Sequence, residues 1–311
     1  MRPKRSFEGP TFLLALAVHA AWMLSTLMAV RHPWVGVICG GFVVAWHGSL
    51  QHETIHGHPT RSRAVNALLG SLPMGLWLPY GIYREQHLDH HRTSALTDPL
   101  EDPESQFVTG DAWRAASPVR RAILLANATL LGRLVLGPAI VLVRFFLAEA
   151  RRIVRGDLVH ARAWLGHAAG VVVVLAWLEL VCAMPLWQYV LTFVYPGLAL
   201  TLLRSFAEHR PATEQAHRIA VVEAGPIASL LYLNNNLHVV HHDEPAVPWY
   251  ELPERYRATR EDVLAKNGGL AYAGYGALLW HFGVRARYAP VHPAHAASAL
   301  SASPVGLQPE S

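Results

Sequence analysis

Apolar stretches long enough to cross a lipid bilayer alternate along this chain with short polar turns. Residues 11–30, TFLLALAVHAAWMLSTLMAV, supply about 20 residues, which at about 1.5 Å rise each match the hydrocarbon thickness of a membrane. A short basic stretch precedes them (Arg2, Lys4, Arg5), but no small-residue cleavage site follows, so they read as a transmembrane helix and not as a signal peptide. Arg31, His32 and Pro33 make a turn, and PWVGVICGGFVVAWHGSL (33–50) returns from a proline, a residue favoured where helices begin. Residues 64–80, AVNALLGSLPMGLWLPY, are interrupted by Pro73, Gly75 and Pro79, which suits a segment at the interface, or one dipping in beside other helices, better than a full span. From 118 to 155 leucine-rich turns alternate with Arg120, Arg121, Arg133, Arg144, Arg151, Arg152 and Arg155, the pattern of amphipathic helices lying on a membrane surface. Two more spans, 163–184 and 185–206, are separated only by a Met184–Pro185 turn.

These patterns predict an all-α integral membrane protein with four crossings in two hairpins. Of its 26 Lys and Arg residues, Arg31 alone then falls outside, which places both termini in the cytoplasm and the body in the cell's inner membrane. Residues 1–10 read as a basic cytosolic tail and 11–288 as the membrane body. The Ala-, Pro- and Ser-rich 289–311 read as a disordered tail whose His292 and His295 are incidental. Composition agrees: 52% of residues are hydrophobic and 15% charged. The two cysteines, Cys39 and Cys182, lie in apolar surroundings and supply neither a disulfide framework nor a thiolate metal site. The net charge of +4 comes from basic residues spread between apolar spans, a topology signal that argues against nucleic acid as a partner.

The nineteen histidines change the picture, because core packing has no use for so many. His52 and His56 end one apolar segment in HETIH; His87, His90 and His91 follow another in HLDHH; His238, His241 and His242 repeat that pattern in HVVHH. Residues three and four apart share a helix face, so each cluster is expected to aim its rings at a common point. The predicted topology puts all three clusters, and His209, at the inner face. Imidazole suits iron, zinc, copper and nickel, and eight or nine rings exceed what one ion can hold, so two metals with four or five nitrogens each is the economical count. His19, His47 and His167 stand alone in apolar segments and read as hydrogen-bonded core residues.

Two other classes compete. HETIH also matches HExxH, the zinc metallopeptidase pattern with Glu53 as general base, but that reading leaves both HxxHH clusters without a role. A metal transporter would place its ligands near the bilayer midplane on broken helices, whereas these lie at span ends and in loops.

HETIH, HLDHH and HVVHH, with spans placed as above, resemble the three histidine boxes of the membrane fatty acid desaturase superfamily, which also includes carotenoid ketolases and hydroxylases. The resemblance covers roughly residues 11–260. It implies four transmembrane helices under a cytosolic helical cap, with a di-iron centre held by His52, His56, His87, His90, His91, His238, His241 and His242. His209, in RSFAEHR, matches an additional histidine common in the family. An Asn that some branches carry one turn earlier to hold a metal-bound water is Ser205 here, and Asn234 or Asn235 could supply the amide instead. Ligating imidazoles usually donate their other N–H to an oxygen, for which Glu53, Asp89, Glu208 and Asp243 are adjacent candidates. The expected activity is O2-dependent oxidation of a C–H bond, with desaturation of a lipid acyl chain first. Hydroxylation or ketolation of a carotenoid, another hydrophobic molecule or a small metabolite is the alternative. The chain carries no dinucleotide fingerprint and no fused haem domain, so electrons are expected from a separate ferredoxin-like donor.

Overall fold

A computed structural model describes residues 7–296. The basic tail expected over 1–10 lies outside the described residues up to position 6, and the tail expected over 289–311 does so from 297. Residues 289–296 pack against the body, which therefore extends past the boundary expected at 288: His292 N–H donates to the Val108 carbonyl at 3.0 Å.

Five helices among the described residues are long and apolar enough to cross a membrane: α1 (Gly9–Arg31), α2 (Pro33–Ile55), α7 (Leu130–Val154), α8 (Leu158–Val181) and α9 (Leu186–Glu208). That is one more than the four expected. Between them lie α3 (Arg63–Gly70), α4 (Tyr80–Arg92), α5 (Gly110–Arg114) and α6 (Pro118–Asn127). After α9 come α10 (Pro226–Leu231), α11 (His238–Asp243), α12 (Leu252–Lys266) and α13 (Tyr275–Phe282), with a two-residue parallel pair, β1 (Val221–Val222) and β2 (Ala271–Tyr272).

Local chemistry sets the boundaries. α1 ends at His32 because the next residue is Pro33, which disfavours helical backbone before it and opens α2. Thr129 Oγ1 caps α7 by accepting from Gly132 N–H at 3.0 Å, and Asp157 caps α8 by accepting from Val159 and His160. The spans bury Trp22, Val43, Met74, Leu178, Tyr189 and Phe193 against one another, while Leu13, Val37, Ile38, Val172, Leu180 and Leu191 stay exposed, as lipid-facing side chains do. Polar groups inside this layer are paired. Trp22 Nε1 donates to the Tyr189 hydroxyl at 2.8 Å, which donates to the Met74 carbonyl at 2.6 Å. Met74 belongs to the proline-broken stretch after α3, and His167 Nε2 donates to the Leu76 carbonyl at 3.0 Å, so that segment dips among the spans with its carbonyls satisfied.

α7 differs from the other four in where its ends lie. At its start Arg133 donates to Gln106 at 2.6 Å, and near its end Arg152 lies 3.6 Å from Glu85. Both partners belong to the polar segment around α4, so both ends of α7 meet the same side of the body.

α2 and α9 approach through small residues. A Cβ on Gly40 would stand 2.4 Å from the Thr192 carbonyl oxygen and 2.8 Å from the Phe193 ring, and one on Gly41 would stand 2.6 Å from Pro196. Gly40→Leu should therefore destabilise the fold by about 1–3 kcal/mol, read as a lower melting temperature in detergent. Gly48→Ala, whose Cβ meets only Thr201 Oγ1 at 3.9 Å, should melt close to the parent. Equal melting of all three proteins would contradict this packing.

Candidate metal centre

Four separated stretches deliver the histidines to one place. His52 and His56 stand at the end of α2, His87, His90 and His91 on α4, His209 directly after α9, and His238, His241 and His242 on α11. All nine sequence-expected rings converge, in two groups whose ligand atoms lie within 4.8 Å of one another. One group is His52, His56, His87, His91 and His241; the other is His90, His209, His238 and His242. His19, His47 and His167 belong to neither.

The division corrects the expectation that each HxxHH aims at one point. On a helix, position i+4 lies about 40° to one side of i and position i+3 about 60° to the other. His87 and His91 therefore enter the first group while His90 turns to the second, and His238 and His242 enter the second while His241 turns to the first. Each HxxHH box serves both groups, while His52 and His56 serve only the first. The groups touch where the His91 and His242 rings stack, their centroids 4.3 Å apart.

Nitrogens inside the groups face one another. Nε2 to Nε2 distances are 2.9 Å for His56–His87, 3.1 Å for His87–His91 and 3.1 Å for His91–His241. In the second group they are 3.0 Å for His209–His238 and 3.1 Å for His238–His242. His52 Nε2 and His90 Nε2 are buried with no hydrogen-bond partner among the described residues. Two outer nitrogens donate to carboxylates, and a third lies near one. His87 Nδ1 lies 2.9 Å from Glu104, His90 Nδ1 lies 2.9 Å from Asp102, and His238 Nδ1 lies 3.4 Å from Glu208. A carboxylate only accepts, so it holds the proton on Nδ1 and leaves an inward lone pair on Nε2. The Asn235 side-chain nitrogen, a donor, lies 3.0 Å from His52 Nδ1, which accepts from it.

This donor set fits cations. Ligand nitrogens about 2.0–2.1 Å from a shared ion stand close to 3 Å from one another, the spacing seen here. Burial, and after it the neighbouring imidazoles, pushes His241 and His242 well below the ordinary histidine value, so these rings are neutral. For His91 burial comes first and His87 second, and together they lower it to about 3. Burial also lowers His90, but Glu104 and Asp102 outweigh it and raise the ring to about 9, so a cation taking that nitrogen displaces a proton. Burial opposes ionisation of Glu104, yet His90 and His87 hold its carboxyl well below the usual carboxylate range.

The adjacent oxygens expected from sequence divide. Glu208 lies against His238 and pairs with Arg204 at 2.8 Å. Glu53 Oε1 is 3.7 Å from His52 Nδ1, and Oε2 accepts from Trp249 N–H at 3.1 Å. That carboxylate therefore stands behind the ring, away from Nε2, where a peptidase base could not reach a water on the ion. Asp89 and Asp243 point elsewhere, toward Arg92 and Lys266. Asn234 donates to the Trp249 carbonyl at 2.9 Å, and Asn235 reaches the outer nitrogen of His52, so neither takes the water-holding place. Ser205 donates to its own helix, to the Leu202 carbonyl at 3.3 Å. Asp102 and Glu104 were visible in the sequence only as part of an acidic loop. Turns bring them back onto α4, and Asp102 is fixed by Thr97 and Glu104 N–H groups at 2.7 and 2.9 Å.

Helices long and apolar enough to cross a membrane stand beside two histidine groups that could hold metal. A model of the fatty acid desaturase family matches residues 28–276, and the chain belongs to that family, which makes it an oxidoreductase. A search of curated proteins finds no match.

Asp102→Asn and Glu104→Gln should each weaken retention of one metal by about 10–100-fold, because the outer acceptor sets the tautomer and basicity of the ligating ring. Metal content after chelator challenge reads this directly. Retention equal to the parent in both variants would remove the two acids from the centre.

Proposed function

We propose that the protein is a membrane di-iron, O2-dependent oxidoreductase that introduces a double bond into a lipid acyl chain. The observation that carries this reading is the gathering of nine imidazoles into two groups of ligand atoms, in a chain of the desaturase family. His52, His56, His87, His91 and His241 would hold one iron, and His90, His209, His238 and His242 the other. The irons supply activation of O2 with two electrons delivered by a separate ferredoxin-like carrier. The protein's part is to hold them and to keep water away. Glu104 and Asp102 keep protons on the outer nitrogens of His87 and His90, and the buried position of His52, His87, His90, His238 and His241 excludes bulk solvent.

An apolar groove of about 590 Å³, bounded by Phe42, Leu200, Leu203, Ile227, Leu231 and Tyr232, supports a hydrophobic substrate. Its wall is tied to the centre: Ser49, one turn before His52, donates to the Leu231 carbonyl at 2.7 Å.

Four spans, α1, α2, α8 and α9, cross the membrane in this reading. The end of α2 and the residue after α9 carry histidines of one centre, so an even number of crossings must separate them. Three candidate helices lie between, and α7, whose two ends meet the same polar segment, is the one that stays at the surface. The centre then faces the cytoplasm at the inner membrane, with both termini on that side.

The test is expression in membranes with a reducing system and O2, followed by mass spectrometry of lipids and pigments. Loss of two mass units from an acyl chain is expected; a gain of sixteen would assign hydroxylation instead. His241→Ala and His238→Ala should each lower turnover by more than about 100-fold with loss of iron. Full activity of iron-free protein would end the di-iron reading.

A further inference from the structure

Apart from the nine-histidine centre, Asp98, His292 and His295 bring three ligand atoms within 4.8 Å of one another. The two histidines lie in the sequence His-Pro-Ala-His, whose last three residues form a 3₁₀ turn, Pro293–His295. Side chains three apart eclipse in such a turn, and the two rings lie on one side with centroids 6.0 Å apart. Thr97 Oγ1 donates to the Leu96 carbonyl at 2.5 Å, so it can only accept from His292 Nε2, which is 3.0 Å away. The proton of this buried ring is thereby fixed on Nε2, and Nδ1 keeps its lone pair. An oxygen on the outer nitrogen is the arrangement that orients a metal-binding imidazole.

Asp98 Oδ2 lies 2.8 Å from His295 Nε2, while Oδ1 accepts from Leu100 N–H. A hydrogen-bonded pair would by itself explain Asp98 and His295. His292 adds a third donor atom within 4.8 Å of these two, and its Nδ1 accepts the Ala294 N–H that caps the turn through a long bond of 3.3 Å, which a cation would replace. Two neutral imidazoles and one carboxylate make a donor set of net charge −1, suited to a divalent first-row cation. We propose that Asp98, His292 and His295 form a third, mononuclear site for such a cation, with zinc as its probe and water in the remaining position.

The site would fasten residues 289–296 over the loop that carries Asp102, because Thr97 contacts His292 through its hydroxyl and Asp102 through its N–H. It touches neither the groove nor the nine rings, and its occupancy can be read whatever reaction the main centre performs.

The test uses the full chain, purified in detergent with its iron, equilibrated with zinc, freed of excess metal and counted for total first-row metal. His295→Ala and Asp98→Asn remove partly exposed side chains. Each variant should hold one metal fewer than the parent, with the iron unchanged and zinc binding weakened by at least about 100-fold. Zinc should also raise the melting temperature of the iron-loaded parent, since a ligand that binds only the folded state stabilises it. The proposal is overturned if either variant keeps the full count, or if zinc leaves the parent's melting temperature unchanged. It is also overturned if zinc and iron are lost together, which would make the zinc a guest of the main centre.

Discussion

The fold turns on a contact that would be unfavourable without something between its members. Imidazoles crowded with their nitrogens about 3 Å apart gain little from one another, and nine of them are gathered at the ends of the helices, five of them buried. The outer hydrogen bonds hold them there. Each acceptor that grips an Nδ1 proton turns the opposite nitrogen inward, so the acids around the centre are as much part of its construction as the rings. Arg204 and Glu208 form a buried ion pair beside His238, so the carboxylate that lies against that ring has a cation to offset its burial.

Much of this was legible in the sequence. The boxes named the rings, and their number pointed to more than one ion. The spans followed from apolar runs and prolines. Less legible was the distribution of rings between groups, which depends on the 60° and 40° offsets within HxxHH and on how α4 and α11 face each other. Adjacency in sequence proved a poor guide to the outer acceptors. Asp89 and Asp243 sit beside ligating positions yet point outward, because neighbours on a helix diverge by about 100°. Asp102 and Glu104, more than ten residues away, return through turns that no helical period encodes.

The histidines of the last described segment show a similar limit. His292 and His295 read as incidental in a stretch rich in Ala and Pro, but that composition also allows the tight turn that brings both rings to Asp98. Length and hydropathy were equally ambiguous for Leu130–Val154. Its apolar content satisfies a membrane span, and only the partners of Arg133 and Arg152 tell where its ends lie.

The exchange of middle rings between the boxes bears on biosynthesis. One cluster draws four of its five donors from the first third of the polypeptide and waits for His241; the other has only His90 until the final helices emerge. A ribosome must therefore deliver the chain at least to His241 and His242 before either pocket is complete, and a product truncated earlier would carry both histidine groups unfinished.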